Sequence, residues 1–242
     1  MKISELAGYL ETIAPLELQE SYDNAGLIVG DPDKSITGVL CALDATAEVV
    51  EEARKLGCNL IVCHHPIIFK GLKKINGGHY VERAVIHAIR HDIAIYAAHT
   101  NLDSVLQNGV NQKIAQKLGL SDLSILQPRA GDPAIGLGLI GSFPEPLEVE
   151  TLLHRIKVSM EAGVVRHTPV IQPVIRRLAL CGGSGAFLIR EAIAAGADAY
   201  LTADIKYHEF FEANGQILLL DIGHFESEQF TVELLFELIS KK

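Results

Sequence analysis

Histidines and carboxylates gather at three points along this chain of 242 residues. They are Cys63-His64-His65-Pro66, His99-Thr100-Asn101-Leu102-Asp103 and His224-Phe225-Glu226-Ser227-Glu228. Each follows an apolar run (Asn59 to Val62, Ile93 to Ala98 and Ile217 to Leu220) that reads as a strand. In an open α/β sheet, ligand chemistry collects just past the carboxyl ends of the strands, so three such endings can converge on one point. Four imidazoles and two carboxylates meeting there would form a metal site.

Spacing bears on how many ions such a site would hold. Neighbouring side chains on an extended segment point to opposite faces, so His64 and His65 are expected to serve two adjacent ions rather than chelate one. His224 and Glu228, four apart, share one face of a helix. The helix is expected to continue through Val232, Leu235, Phe236 and Ile239, an apolar stripe that would fix the ligands against the body of the protein. His64, His65 and Asp103 from the first half, with His224 and a bridging Glu228 from the second, make a set that leaves room for water on two ions. Alone, each of these motifs is better explained by a hydrogen-bonded turn residue. Their recurrence at three strand ends is what points to metal.

The elements that must position these residues are ordinary globular ones. Hydrophobic residues make up 48% and charged residues 21% of the chain, enough for one large α/β domain or two lobes. The formal net charge of −9 argues against a nucleic-acid or anionic-membrane surface. No apolar segment approaches the roughly 20 residues that span a bilayer. Met1-Lys2-Ile3-Ser4-Glu5 reads as the start of a capped amphipathic helix rather than a signal peptide. Cys41, Cys58, Cys63 and Cys181 form no CxxC pair and read as reduced, buried residues of a cytoplasmic protein. Cys63 stands beside His64, but strand alternation turns it away from a ligand role.

An internal comparison suggests duplication. Val39 to His65 aligns without a gap with Leu178 to Asp204, matching Gly57 with Gly196, Glu52 with Glu191 and Ala53 with Ala192. Further on, His99 pairs with His224 and Asp103 with Glu228. The expected fold is therefore α/β, with two related lobes, about 1–125 and 126–242, their sheets covered by helices and the dinuclear site in the cleft between them. The lobes are expected to meet near 122–135, a stretch rich in turn formers. Ala134 to Ser142 reads as a strand, Pro144-Glu145-Pro146 as a turn and Leu147 to Val158 as a helix.

Other stretches admit two readings. Cys181-Gly182-Gly183-Ser184-Gly185 could hold an anion on bare backbone amides, or could simply be a tight turn. Asp23 and Asn24 read as local turn formers. Asp44 could cap the next helix, the preferred reading, or support a metal histidine. Lys206 and His208 could transfer protons or bind substrate, or could lie on a solvated face.

Taken together, Tyr22-Asp23-Asn24-Ala25-Gly26-Leu27, the three His-bearing motifs, the glycine turn and Asp204-Ile205-Lys206-Tyr207-His208 resemble the GTP cyclohydrolase I type 2 homologue family, also called YbgI-like or Ngg-interacting-factor-three-like. The motifs run in order over essentially the whole chain. The resemblance implies a two-lobed α/β subunit, two divalent ions per chain (Zn, Fe, Mn or Ni) and self-association into a toroidal homohexamer. It places His64, His65, Asp103, His224 and Glu228 on metal ligands and His99 beside the ions. Longer relatives carry an extra domain between the lobes, and this chain has none. The function expected is hydrolysis of a small cyclic or nucleotide-like substrate, GTP ring opening being the best named case, with His99 or His208 moving the proton. The alternative is a non-catalytic metal-binding ring that engages a partner.

Overall fold

The computed structural model describes all 242 residues. The chain forms two compact units, one of Met1–Leu102 with Thr231–Lys242, the other of Asp103–Phe230. This division differs from the expected boundary near residue 125. The polar stretch there is no linker: its turn formers close a β-hairpin, and the C-terminal helix returns to the first unit.

In chain order the first unit contains α1 (Ile3–Ile13), β1 (Gly26–Val29), β2 (Val39–Ala42), α2 (Ala47–Leu56), β3 (Leu60–Cys63), α3 (Tyr80–Arg90), β4 (Ala94–Ala97) and the short turn of helix α4 (Thr100–Asp103), whose last residue opens the second unit. The N-terminal helix starts as expected, with the Glu5 carboxylate accepting from the Lys2 amide at 2.7 Å. Thr46 caps α2 by accepting from the Val49 amide, and Gly57 ends it at φ +73°, a conformation that costs glycine little. The sheet order is β1-β4-β3-β2, with β2, β3 and β4 parallel and β1 antiparallel at the edge. Both β3 and β4 are buried along their whole length, as their unbroken apolar runs require. Ile61, Cys63, Ile95 and Ala97 pack against Val50, Ala53, Ala84, Val85 and Ala88 of α2 and α3. The C-terminal helix α9 (Thr231–Ile239) packs on β2 and β3.

The second unit runs through α5 (Val110–Leu118), β5 (Ser121–Arg129), β6 (Asp132–Glu148), α6 (Val149–Ser159), β7 (Arg166–His167), β8 (Val174–Ser184), α7 (Ile189–Ala194), β9 (Ala199–Ala203), β10 (Leu218–Asp221) and α8 (His224–Glu228). Its sheet order is β5-β6-β8-β9-β10-β7. Strands β8, β9 and β10 are parallel, and β7 lies antiparallel at the edge beyond β10. Each sheet thus holds three parallel strands in the same order, followed by an antiparallel edge strand that precedes them in sequence. The register also agrees: Val39 faces Leu60 and Leu178 faces Ala199, positions equated by the ungapped internal alignment.

Two local expectations are corrected. Residues 144–146 lie within β6 at a register shift between Ser142 and Leu147 rather than in a turn between elements. The helix that begins at His224 stops at Glu228, and α9 starts afresh at Thr231. The break resets the phase. Thr231, Leu234, Leu235 and Leu238 are the buried positions, while Phe236 is 64% exposed.

Candidate metal centre

In the first unit β3 ends at Cys63 and the chain bends at once, because the His64 and His65 amides both donate to the Leu43 carbonyl, at 3.1 and 2.9 Å. Strand alternation therefore does not carry past Cys63, and the expectation that the two rings point apart is corrected. Their centroids lie 5.0 Å apart, and His99, just beyond β4, stands 5.2 Å from His64 and 5.6 Å from His65. One ligand atom from each of the three lies within 4.8 Å of the others, a group that could hold a metal ion. Cys63 takes no part. It is fully buried, its thiol faces the Tyr96 and His65 carbonyls, and burial pushes its pKa up to about 12.

In the second unit α8 brings His224 Nε2 to 3.1 Å from Glu228 Oε2. Glu228 is buried, and its carboxylate occupies space that Gly183 leaves open. A Cβ on Gly183 would run into the Glu228 carboxylate and meet the His224 ring, whereas one on Gly182 would press on Ile114 Cδ1. Gly183 also sits at φ +62°. The turn's amides are already engaged, Gly182 N–H with Asn111 Oδ1 and Gly183 N–H with Ser227 Oγ, both at 2.9 Å. Neither reading describes the stretch: Cys181 to Ser184 finish β8, whose pairing with β9 shifts register between Leu180 and Ser184, and Gly183 makes room for Glu228. Asp103, at the end of α4, joins the same region, since Asn111 also donates to its carbonyl at 3.1 Å. Burial, with Asp103 and Glu228 nearby, drives the Cys181 thiol far above its usual pKa.

All four histidines are held in the same manner. The His64 Nδ1–H donates to the Ala98 carbonyl at 2.8 Å, and a carbonyl can only accept, so Nε2 carries the lone pair. Nδ1 of His65 meets Asp44 at 2.9 Å, Nδ1 of His99 meets Asp23 at 2.7 Å, and Nδ1 of His224 meets Asp204 at 2.7 Å. A carboxylate or carbonyl behind one ring nitrogen, with the other turned outward, is how metal-binding imidazoles are oriented. The donor set therefore fits a divalent ion of the imidazole-and-carboxylate class.

Asp23 is the most enclosed of these supports. Burial raises its pKa, but bonds from His99 and from the Thr100 hydroxyl and amide outweigh it and hold the carboxyl at about 2. In His224 the bond to Glu228, aided by Asp204, outweighs burial and raises the imidazole to about 9 without a metal.

Reading Asp44 as a cap is corrected, because Thr46 fills that place and Asp44 backs His65. Reading Asp23 as a local turn former accounts only for its bond to the Asn24 amide, at 2.6 Å. Within 202–209 the residue that engages one of the four histidines is Asp204. His208 is exposed and lies against Tyr207 and Phe211, at 5.0 and 6.1 Å between centroids, and Lys206 is exposed too. Asp23 and Asp204 escaped sequence reasoning because nothing in a lone aspartate announces a histidine partner far along the chain. Their presence in motifs shared with a known family was the available signal.

No helix is long and apolar enough to cross a membrane. Comparison with known proteins agrees over the whole length. A protein of Clostridium perfringens named "GTP cyclohydrolase 1 type 2 homolog" is 37% identical over 229 residues, 94% of this chain and 87% of that protein. A Streptococcus pneumoniae protein of the same name is 35% identical, covering 100% of this chain and 91% of its own. The crystal structure of Staphylococcus aureus protein SA1388 superposes with a TM-score of 0.90 at 31% identity, over 100% of this chain and 93% of that one. The family described as Duf34/NIF3 (NGG1p interacting factor 3) matches residues 1–242, and the chain belongs to it.

Proposed function

We propose that His64, His65 and His99 of the first unit and Asp103, His224 and Glu228 of the second serve one pair of divalent ions, and that the protein is a metal-dependent hydrolase of a small cyclic or nucleotide-like substrate. The observation that carries this reading is the uniform fixing of four imidazoles by their Nδ1 atoms, which presents four Nε2 donors at set angles. Six donors exceed what one tetrahedral ion takes, so two ions with open positions are the economical assignment. Divalent ions in such a site supply Lewis-acid polarisation of the bond under attack and a more acidic water. Glu228 is the proposed bridge, its carboxylate seated in the space that Gly183 leaves open. His99, with Asp23 behind its Nδ1, and His208, on the loop that carries Asp204, are the proposed proton carriers.

The shared strand order and register of the two sheets support descent of both units from one duplicated βαβ element. The curated relatives' name makes GTP ring opening the first reaction to test, with other C–N and phosphoester hydrolysis next. The four free cysteines suit a reducing cytoplasm. A homohexameric ring is proposed from the family resemblance.

The test is turnover by purified protein across a nucleotide and lactam panel, with and without Mn, Fe, Zn or Co. Turnover that chelation abolishes, that added metal restores and that His65→Ala removes supports the hydrolase. Turnover that survives in metal-free protein or in His65→Ala contradicts it, and a fully metallated protein inert on every substrate moves the assignment to the non-catalytic metal-binding ring.

A further inference from the structure

Two large aromatic side chains stand exposed beside the histidines of the first unit. Tyr22 is 60% exposed and Phe69 44% exposed, although the chain has ample interior for rings. The two ring centroids lie 6.0 Å apart with a 50° angle between planes, an open wedge rather than a stacked pair. The edge of the wedge touches the metal group, as Phe69 lies 6.2 Å from the His99 ring at 77°.

The wedge is tied to the same framework that sets His99. Asp23, next to Tyr22, holds His99 Nδ1 and the Thr100 amide, at 2.7 and 3.0 Å. The Thr100 hydroxyl in turn accepts from the Glu20 amide at 2.9 Å. Asn24 Nδ2 donates to the Ile68 carbonyl at 2.7 Å, joining the loop of Tyr22 to the loop of Phe69. Both rings are thus presented from short, cross-braced segments at a fixed place relative to His99.

The patch is small. Its flanks, Ser21, Asn24 and Lys70, are exposed and polar, and a stable protein interface needs about 800 Å² per partner, well beyond two rings. Two rings at 50° to each other beside the histidines suit a single planar molecule, stacked on one ring and edge-on to the other.

We propose that Tyr22 and Phe69 form a stacking site for a planar heteroaromatic ring, and that they set the ring specificity of the centre. This deepens the hydrolase reading and rests on it for the bond that would be cleaved, but ring binding itself can be measured apart from metal and turnover. A base stacked on an aromatic side chain loses about 1–3 kcal/mol when that side chain is removed, or roughly 5- to 150-fold in affinity.

The experiment measures calorimetric binding of guanosine, adenosine and the aliphatic δ-valerolactam to the full chain, metal-loaded and chelated, for wild type, Tyr22→Leu and Phe69→Leu. Leucine keeps apolar bulk and removes the π face. Metal content is measured on the same samples. The expected result is that both nucleosides bind wild type and each variant weakens them by about 10-fold, with lactam binding and metal content unchanged. Nucleoside affinity unchanged in both variants, an equal loss for the lactam, or no nucleoside binding by wild type would overturn the proposal. Nucleoside binding through the two rings by fully metallated protein that turns over none of the panel substrates would retire the hydrolase reading while leaving the stacking site standing.

Discussion

What stands behind each histidine differs, and the difference sets what each can do. His64 is backed by a neutral carbonyl, His65 and His224 by half-exposed aspartates, and His99 by an enclosed one. A carboxylate behind Nδ1 makes Nε2 more basic and fixes its direction. If Glu228 bridges the ions and His99 sits beside them, Glu228→Gln lowers metal content more than His99→Gln does, as elemental analysis of the two purified variants would show; equal retention removes the bridging role. The raised pKa of His224 gives a second expectation. Its folded value of about 9 lies above the ordinary 6.5, so in metal-free protein the protonated ring contributes stability fully below 6.5 and loses it as pH rises through 9. Thermal melts of chelated protein from pH 6 to 10 are expected to fall more steeply for wild type than for His224→Gln, and parallel profiles would contradict this. At this scale the crowding of His and acidic residues at the ends of apolar runs was legible in sequence. The supports Asp23 and Asp204 were not, since they lie 76 and 20 residues from the rings they hold, and Asp44, 21 residues from His65, was read first as a helix cap.

Elements were legible where local chemistry and burial agree, and misread where tertiary pairing overrides composition. Strands β3, β4, β9 and β10 are continuous apolar runs buried on both faces, and Gly57 and Gly196, at φ +73° and +69°, mark the ends of α2 and α7's segment before the next strand. The hairpin of β5 and β6 was hidden because Pro128, Gly131 and Pro133 look like a linker, and Pro144 and Pro146 look like a stop. Cross-strand pairing holds the first group, and the register shift in β6 accommodates the second. The stretch 224–239 has apolar residues at helical spacing throughout, so periodicity alone runs α8 and α9 together. The phase seen in the structure makes a sharp contrast: Leu235→Ala, at a fully buried position, is expected to cost about 2–5 kcal/mol, and Phe236→Ala within about 0.5 kcal/mol. Denaturant unfolding of the two variants distinguishes this phase from a single continuous helix, which would make both costly.

For the whole molecule, the strand order β1-β4-β3-β2 repeated as β7-β10-β9-β8 is the counterpart of the internal alignment. Where the units divide was not legible in sequence, because the return of α9 to β2 and β3 depends on packing that no local signal encodes. The proposed ring predicts an assembly larger than a dimer by light scattering at micromolar concentration, and a 26.2 kDa monomer would remove it. The central claim is that ligands contributed by both units serve one pair of ions, so its most direct test is the metal content of gently dialysed full-length protein. Elemental analysis is expected to return about two divalent ions per chain, since four oriented imidazoles and two carboxylates exceed one tetrahedral set. A value near zero or one, with no second ion taken up when metal is in excess, would contradict it.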